Sequence, residues 1–199
     1  MIDAPIAPAG LRNSKPILAV LRHELADCTS LLEIGSGTGQ HAVEFAAYLP
    51  NLTWQTSDLD DAHEGILAHI ENAGLTNVMP PVLLDVRSAN LSDASYDAVF
   101  TSNTAHIMSF EAVKDMLRLV ATSLRRDGVF ACYGPFKQGG HFSTESNAKF
   151  DQWLRQRDPE SGIRNLEDLD TLATDGGMQR RRVYAMPANN LLVIWQKLH

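Results

Sequence analysis

The chain has 199 residues, of which 44% are hydrophobic and 21% charged, as is typical of one soluble globular domain. Its formal net charge of −7 disfavours a broad nucleic-acid-binding surface and makes small molecules the expected partners. It has no apolar stretch long enough to span a bilayer, no signal sequence and only two cysteines, so we expect a cytoplasmic protein without a membrane partner, disulfide framework or metal site.

The N-terminal residues predict an irregular arm that leads into a helix. Residues 1–13 are rich in proline and glycine, and helix signals begin at Asn13 or Ser14 as the N-cap, with Pro16 in the first turn. We therefore divide the chain into an arm, residues 1–13, and a single domain, residues 14–199.

The run LLEIGSGTG at residues 31–39 is the most informative feature of the sequence. An apolar strand ends in a carboxylate and breaks into alternate glycines, which let the backbone turn sharply and pass close to a ligand. Residues 40–49 continue with helical spacing. A strand, a glycine loop and a helix in this order indicate a cofactor site of the nucleotide type.

The residues around this loop favour one cofactor, S-adenosylmethionine. A dinucleotide fingerprint needs a glycine or alanine where this chain has Gln40. Glu33 at the strand end would repel a pyrophosphate, but it suits a ligand that carries an ammonium and a sulfonium and no phosphate. Asp58 ends the next predicted strand, about twenty residues after Gly39, at the spacing of a ribose-hydroxyl ligand.

The rest of the chain alternates between strand and helix patterns and then ends in a hairpin. This order predicts an α/β domain with a parallel sheet that is covered on both faces. The predicted strands are 52–57, 78–84, 96–101, 128–133, 179–186 and 191–196, and the predicted helices are 62–73, 110–124, 148–156 and 166–174.

The order of elements from Ser14 to Lys197 resembles the class I S-adenosylmethionine-dependent methyltransferase fold. That resemblance implies a Rossmann-like, seven-stranded, mostly parallel sheet with an antiparallel last strand and helices on both faces. More narrowly, the chain is similar to the methyltransferase-like protein 26 family, formerly a domain of unknown function, which implies a cofactor but no settled substrate. The segments that carry this similarity are RNSKPIL (12–18), LEIGSGTGQH (32–41), NTAHI (103–107) and YGPF (133–136).

The resemblance implies a set of cofactor-binding residues. The loop residues would lie beside the methionine part of the cofactor, Asp58 would bind the ribose with Leu59 beside the adenine, and Asp85 would lie near the adenine amino group. Asn103 follows the fourth predicted strand, where the methyl group would point toward the substrate. The full set is Glu33, Gly35, Ser36, Gly37, Gly39, Asp58, Leu59, Asp85, Val86 and Asn103.

Three residues near the predicted methyl position are candidates for catalysis: His106, Asn103 and Tyr133. His106 is the leading candidate for a general base because imidazole titrates near neutral pH, and His141 is the second. A histidine at such a junction can instead simply bond a backbone carbonyl, and Tyr133 can instead be a core aromatic residue.

The sequence thus predicts an S-adenosylmethionine-dependent methyltransferase that acts on a small-molecule acceptor. The alternative is a non-catalytic S-adenosylmethionine-binding sensor or partner protein. Gln40 and Glu33 disfavour a nicotinamide-dependent oxidoreductase, and the motifs typical of nucleobase methylation are absent from the sequence. The basic run 180–182 could contact phosphate, although a solvated strand start is favoured.

Overall fold

Seven strands form the central sheet in the computed structural model, which describes residues 4–5, 8–89 and 95–198. These seven are β1 (Ser30–Ile34), β2 (Thr53–Asp58), β3 (Val78–Leu83), β4 (Tyr96–Ser102), β5 (Leu124–Gly134), β9 (Met178–Met186) and β10 (Asn190–Lys197). Three short strands form a second sheet: β6 (Phe136–Gln138), β7 (His141–Phe142) and β8 (Arg164–Asn165). The helices are α1 (Pro8–Glu24), α2 (Gln40–Tyr48), α3 (His63–Ala73), α4 (Phe110–Ser123), α5 (Glu145–Arg157) and α6 (Leu166–Asp175).

The sheet has the order β3-β2-β1-β4-β5-β10-β9. The first five strands of this series are parallel, and β10 runs antiparallel between β5 and β9. The predicted α/β fold with its antiparallel last strand is therefore confirmed. Chain order reverses between β1 and β4, and a crevice at such a point, outside the carboxyl ends of the strands, is where open α/β sheets bind ligands.

Helices cover both faces of the sheet, and each face has its own apolar core. On one face Leu21 of α1 and Phe45 of α2 pack against the sheet residues Trp54 and Phe100. The ring of Phe45 meets both of these rings edge-to-face, with centroid distances of 5.9 Å to Trp54 and 6.0 Å to Phe100. On the other face Met116 of α4 and Leu169 of α6 join a cluster with Phe130 and Trp195. Because both faces are buried, the central strands are apolar along most of their length.

Several element ends follow from local chemistry that the sequence predicts. Gly74 ends α3 with φ 61°, a left-handed conformation that glycine adopts without steric cost. Ser109 begins α4 by accepting a hydrogen bond from the backbone N–H of Ala112 at 3.2 Å. These signals place α3 and α4 within a residue of their predicted bounds.

Helix α1 begins at Pro8, and not at Asn13 or Ser14 as expected. A proline at the first helical position is well tolerated because that N–H has no intrahelical acceptor. Pro16 consequently lies inside the helix and not in its first turn, where it removes one backbone hydrogen bond. Residues 8–13 of the predicted arm are therefore helical.

A small second sheet was not anticipated from the sequence. It consists of β7, β6 and β8, which have only two or three residues each and lie between β5 and α6. Strands this short carry no readable alternation pattern. The sheet holds the segment between β5 and α6 against the carboxyl end of the main sheet.

The basic run in β9 is largely neutralised within the chain. Arg180 pairs with Asp170 at 2.8 Å and Arg182 with Glu24 at 2.9 Å. These ion pairs favour the interpretation as a solvated edge strand over a phosphate contact.

Among the described residues, no helix is both long and apolar enough to cross a membrane, and no three side chains of the metal-ligating types are grouped as a metal site. Cys132 is buried, Cys28 is partly exposed, and both are free thiols.

Candidate functional site

The glycine loop joins β1 to α2 and has three glycines in left-handed conformations. The φ angles of Gly35, Gly37 and Gly39 are 72°, 60° and 82°. A Cβ on Gly39 would lie 2.9 Å from the Cα of Ile66, and one on Gly35 would lie 2.9 Å from Oγ1 of Thr104, whereas one on Gly37 would meet nothing within 4 Å. Gly35 and Gly39 thus allow close packing, and Gly37 leaves an open space.

Asp58, at the end of β2, holds this loop in place. Its Oδ2 accepts a hydrogen bond from the backbone N–H of Gly37, and its Oδ1 accepts one from the backbone N–H of Leu59, both at 2.7 Å. A loop N–H of the kind that could hold a phosphate is therefore already bonded to a carboxylate of the chain. The arrangement places negative charge where a dinucleotide site would be electropositive.

Glu33 lies beneath the loop, with 1% of its surface exposed. It accepts a hydrogen bond from Nε1 of Trp54 at 3.0 Å. Burial raises the pKa of Glu33 to about 7, although hydrogen bonds from Trp54 and Ser36 partly offset this effect. The carboxyl group of Glu33 therefore titrates near neutral pH under the cofactor loop.

A cavity of about 370 Å³ opens beside the loop, at the carboxyl ends of β1 to β4. One part of its wall is apolar, and carboxylates and one guanidinium form the rest. The lining residues are Ile34, Gly35, Asp58, Leu59, Leu84, Asp85, Val86, Arg87, Thr104, Ile107, Met108, Ser109, Ala112, Asp158 and Glu160. Its size and its mixed wall are those expected of a site for a nucleoside-sized ligand.

Carboxylates outnumber cations in this wall. Four acidic side chains line the cavity together with one basic side chain, Arg87. Arg87 is paired with Asp85 at 2.5 Å, and this contact lowers the pKa of Asp85. The remaining carboxylates, Asp58, Asp158 and Glu160, give the cavity an excess of negative charge that favours a cationic ligand.

His106 lies between Thr104 and Ile107 along the chain, but unlike them it is not among the lining residues of the cavity. His106 is 6% exposed, and its ring packs edge-to-face on the ring of Phe150, with the two ring centroids 5.4 Å apart. Within the described chain no hydrogen bond to its ring nitrogens is found. Burial, and secondarily the charge of Arg164, lowers the pKa of His106 to about 4, so that the imidazole is neutral at pH 7.

Tyr133 and Asn103 lie at the adjacent strand ends. Tyr133 is 1% exposed, and its hydroxyl accepts a hydrogen bond from Nδ2 of Asn190 at 2.9 Å, which is the environment of a core aromatic residue. Asn103 has φ 59°, and its backbone N–H donates to the carbonyl of Tyr133 at 2.8 Å. His141, on β7, is exposed.

The structure brings five of the ten predicted cofactor-binding residues into one cavity, and the other five are not among its lining residues. Gly35, Asp58, Leu59, Asp85 and Val86 line the cavity. Glu33 and Ser36 are buried, and Gly39 packs against Ile66. Gly37 and Asn103 are not among the lining residues of this cavity, and Gly37 instead lines a separate one with Thr38 and Asp61. The sequence analysis assigned no role to five further lining residues: Arg87, Ile107, Met108, Asp158 and Glu160. Ile107 lies in the segment NTAHI, the other four belong to no motif, and Asp158 and Glu160 come from a distant loop.

A protein-family comparison gives one match of nearly full length. The model of a family described as "Protein of unknown function (DUF938)" matches residues 4–197. This description assigns no activity.

Solved structures with a similar fold include three informative cases. The S-adenosylmethionine-dependent methyltransferase SibL is 20% identical, with a TM-score of 0.81 over 96% of this chain and 56% of its own. The YcgJ protein of Bacillus subtilis is 17% identical, with a TM-score of 0.74, and the match covers 93% of this chain and 99% of YcgJ. NcsB1 is an O-methyltransferase of neocarzinostatin biosynthesis, solved in complex with S-adenosylmethionine and 2-hydroxy-5-methyl naphthoic acid. It is 17% identical, with a TM-score of 0.78, and the match covers 96% of this chain and 55% of NcsB1.

These similarities show that the chain has the class I methyltransferase fold. The chain spans about half the length of SibL and NcsB1 and nearly all of YcgJ.

Proposed function

The chain belongs to the family described as "Protein of unknown function (DUF938)", and we propose that it is an S-adenosylmethionine-dependent methyltransferase acting on a small-molecule acceptor. The single observation that carries this proposal is that Asp58, which lines a cavity where carboxylates outnumber cations, accepts a hydrogen bond from the loop N–H of Gly37 at 2.7 Å. A diphosphate would face both a carboxylate and an occupied donor there, whereas a cationic ligand without phosphate would be attracted.

The lining residues fit the parts of this cofactor. Asp58 would accept hydrogen bonds from ribose hydroxyls, and Leu59, Val86 and Met108, which line the same cavity, would supply apolar surface for an adenine ring. Asp85 offers an acceptor for the adenine amino group. The charge of Glu33 beneath the loop would favour the cationic methionine end.

When bound, the cofactor supplies a methyl group on a positively charged sulfur, which loses its charge as the methyl group leaves. Carboxylates close to that charge stabilise the reactant more than the transition state. The protein's contribution to rate would therefore come mainly from holding the acceptor in line, which can contribute on the order of 7 to 11 kcal/mol in the best cases. His106 and Asn103 are the residues that we propose for orienting the acceptor and accepting its proton.

A small molecule is the proposed acceptor class because the chain is acidic overall, with a formal net charge of −7, which disfavours a nucleic-acid substrate. The O-methyltransferase NcsB1, which shares the fold, is described with a naphthoic acid bound. The similarity to the methyltransferase-like protein 26 family and the cytoplasmic location both stay predictions.

Calorimetric titration with S-adenosylmethionine, S-adenosylhomocysteine and NAD tests the proposal. We expect both adenosyl ligands to bind and NAD not to bind. A tritiated-methyl transfer screen over metabolite pools and protein extracts then tests turnover. Binding without any labelled product would support the sensor alternative, and binding of NAD alone would contradict the proposal.

We expect Asp58→Ala to weaken S-adenosylhomocysteine binding by about 1 to 3 kcal/mol, because the ribose hydroxyls and the N–H of Gly37 both lose an acceptor. Calorimetry measures this change. Asp60→Ala, in the exposed turn two residues later, is the matched control and should bind like the wild type. An unchanged affinity of Asp58→Ala would remove the ribose assignment.

We expect His106→Ala to keep cofactor affinity and lose turnover of the acceptor found in the screen. Because the pKa of His106 is about 4, the kcat/KM of the wild type should show no imidazole inflection between about pH 6 and 7. The folded pKa lies below the usual 6.5, so the stability contributed by neutral His106 is lost as pH falls from 6.5 toward 4. Retained turnover in His106→Ala would exclude the role of general base.

A further inference from the structure

Arg164, at the start of β8, has a buried guanidinium that bonds only to backbone carbonyls. The residue is 7% exposed, and within the described residues it forms no ion pair. Its Nε donates to the carbonyl of Ala105 at 3.0 Å, and its Nη2 donates to the carbonyls of Met108 and Glu160, the latter at 2.9 Å. One side chain therefore joins two segments that are far apart in sequence.

The first segment is the turn 104–108, which follows β4. Thr104, Ile107 and Met108 line the cavity, and His106 lies between them along the chain. The second segment is the loop 158–163, which joins α5 to β8 and contributes Asp158 and Glu160 to the same wall. Arg164 thus connects two walls of one cavity.

Other contacts hold the loop in the position from which Arg164 can reach the turn. The backbone N–H of Gly162 donates to the carbonyl of His106 at 2.9 Å, and that of Ile163 donates to Oδ1 of Asp151 at 2.7 Å. Gly162 has φ 148°, and a Cβ there would lie 2.7 Å from Nη2 of Arg155. The side chain of Arg155 could move away, but L residues rarely adopt this φ, so the backbone conformation favours glycine here.

From these contacts we infer that Arg164 is a positioning residue of the cofactor site: it fixes the turn that carries His106 and the loop that carries Glu160 at the separation the ligand requires. The inference rests on the proposed function for the identity of the ligand. Burying a guanidinium without a carboxylate partner is costly, and three carbonyl acceptors offset that cost. The planar fork of arginine can reach two segments at once, which the single ammonium of lysine does poorly.

The test compares Arg164→Met and Arg164→Lys with the wild type. We expect the methionine variant to bind S-adenosylhomocysteine about tenfold more weakly or worse, since three hydrogen bonds that shape the cavity are lost. The lysine variant should lie between the two, because it keeps the charge and reaches fewer carbonyls. Arg118→Met, which breaks an exposed ion pair with Asp115 on α4, is the matched control and should bind like the wild type.

The NMR titration of the His106 imidazole is the second readout, and it needs no cofactor. Arg164 is the charged group that acts on His106, while Arg155, Asp151 and Asp158 act on Arg164 itself. In Arg164→Met the His106 titration should move to higher pH, because a nearby positive charge is lost and the turn becomes more accessible to water. The titration is followed on the signals of the folded state, because unfolding would also return the imidazole to its ordinary pKa of 6.5.

The possible outcomes separate the inference from the proposed function. If the wild type binds no adenosyl ligand, the proposed function fails, and the His106 titration in Arg164→Lys, which keeps the positive charge, still decides whether Arg164 positions the turn: a titration at higher pH than in the wild type supports the inference, and an unchanged titration contradicts it. If the wild type binds and Arg164→Met shows the same affinity and the same His106 titration, the inference is wrong. If the methionine variant does not fold, the lysine variant decides by the same two measurements.

Discussion

Gly37→Val is expected to abolish S-adenosylmethionine binding while leaving the chain folded. Gly37 has φ 60°, and a Cβ there would meet no atom of the protein within 4 Å. The valine side chain would therefore project into the open space where we propose that the cofactor lies. Calorimetry with S-adenosylhomocysteine, together with thermal unfolding of the same sample, measures both effects.

Gly74→Val is a closely matched control for this prediction. Gly74 ends α3 with φ 61°, and a Cβ there would also meet nothing within 4 Å. Both variants place a β-branched residue in a left-handed conformation, at a cost of about 1 to 3 kcal/mol in the free energy of unfolding. Equal loss of stability with binding lost only in Gly37→Val is the expected result, and wild-type affinity in Gly37→Val would place the cofactor elsewhere.

Glu33→Gln is expected to stabilise the fold at pH 8 and to weaken cofactor binding. Burial raises the pKa of Glu33 from 4.5 to about 7, so ionising this side chain in the folded state costs on the order of 2 to 3 kcal/mol at pH 8. Glutamine is neutral, has nearly the same shape, and keeps an oxygen that can accept from Nε1 of Trp54. It removes the cost of burying the charge and also the attraction for a cationic ligand.

The sign of the pH dependence follows from the raised pKa. The folded state holds the proton of Glu33 more tightly than the unfolded state, so this residue's contribution to stability is fully present below about pH 4.5 and is lost as pH rises toward 7. Unfolding in urea should therefore show little difference between Glu33→Gln and the wild type at pH 4.5 and a growing advantage of the variant up to pH 8. A constant difference across this range would mean that Glu33 does not titrate there.

Proton release provides an independent check on Glu33. A cation bound near the loop would lower the pKa of Glu33, so that S-adenosylmethionine binding at pH 7 should release protons. Calorimetry in two buffers with different ionisation enthalpies detects this release. It should disappear in Glu33→Gln.

Local patterns along the chain were enough to predict the fold class and the strand, loop and helix around which the candidate site is built. The run LLEIGSGTG predicted β1, the loop and α2, because alternate glycines and helical spacing are local signals that depend on few neighbours. Apolar runs that alternate with helical patterns predicted the parallel sheet and its closing hairpin. Asp58 and Asp85 were placed correctly at strand ends, and both line the cavity.

Contacts between distant parts of the folded chain, which no local pattern predicts, select the side chains that line the cavity and set the pKa values of the buried groups near the loop. Asp158 and Glu160 reach the wall from a loop about 100 residues after Asp58, and no local pattern marks such a loop. The raised pKa of Glu33 and the lowered pKa of His106 arise from burial, which depends on residues distant in sequence. A strand pattern is set by neighbours along the chain, whereas a cavity and its electrostatics are set by what the folded chain brings together.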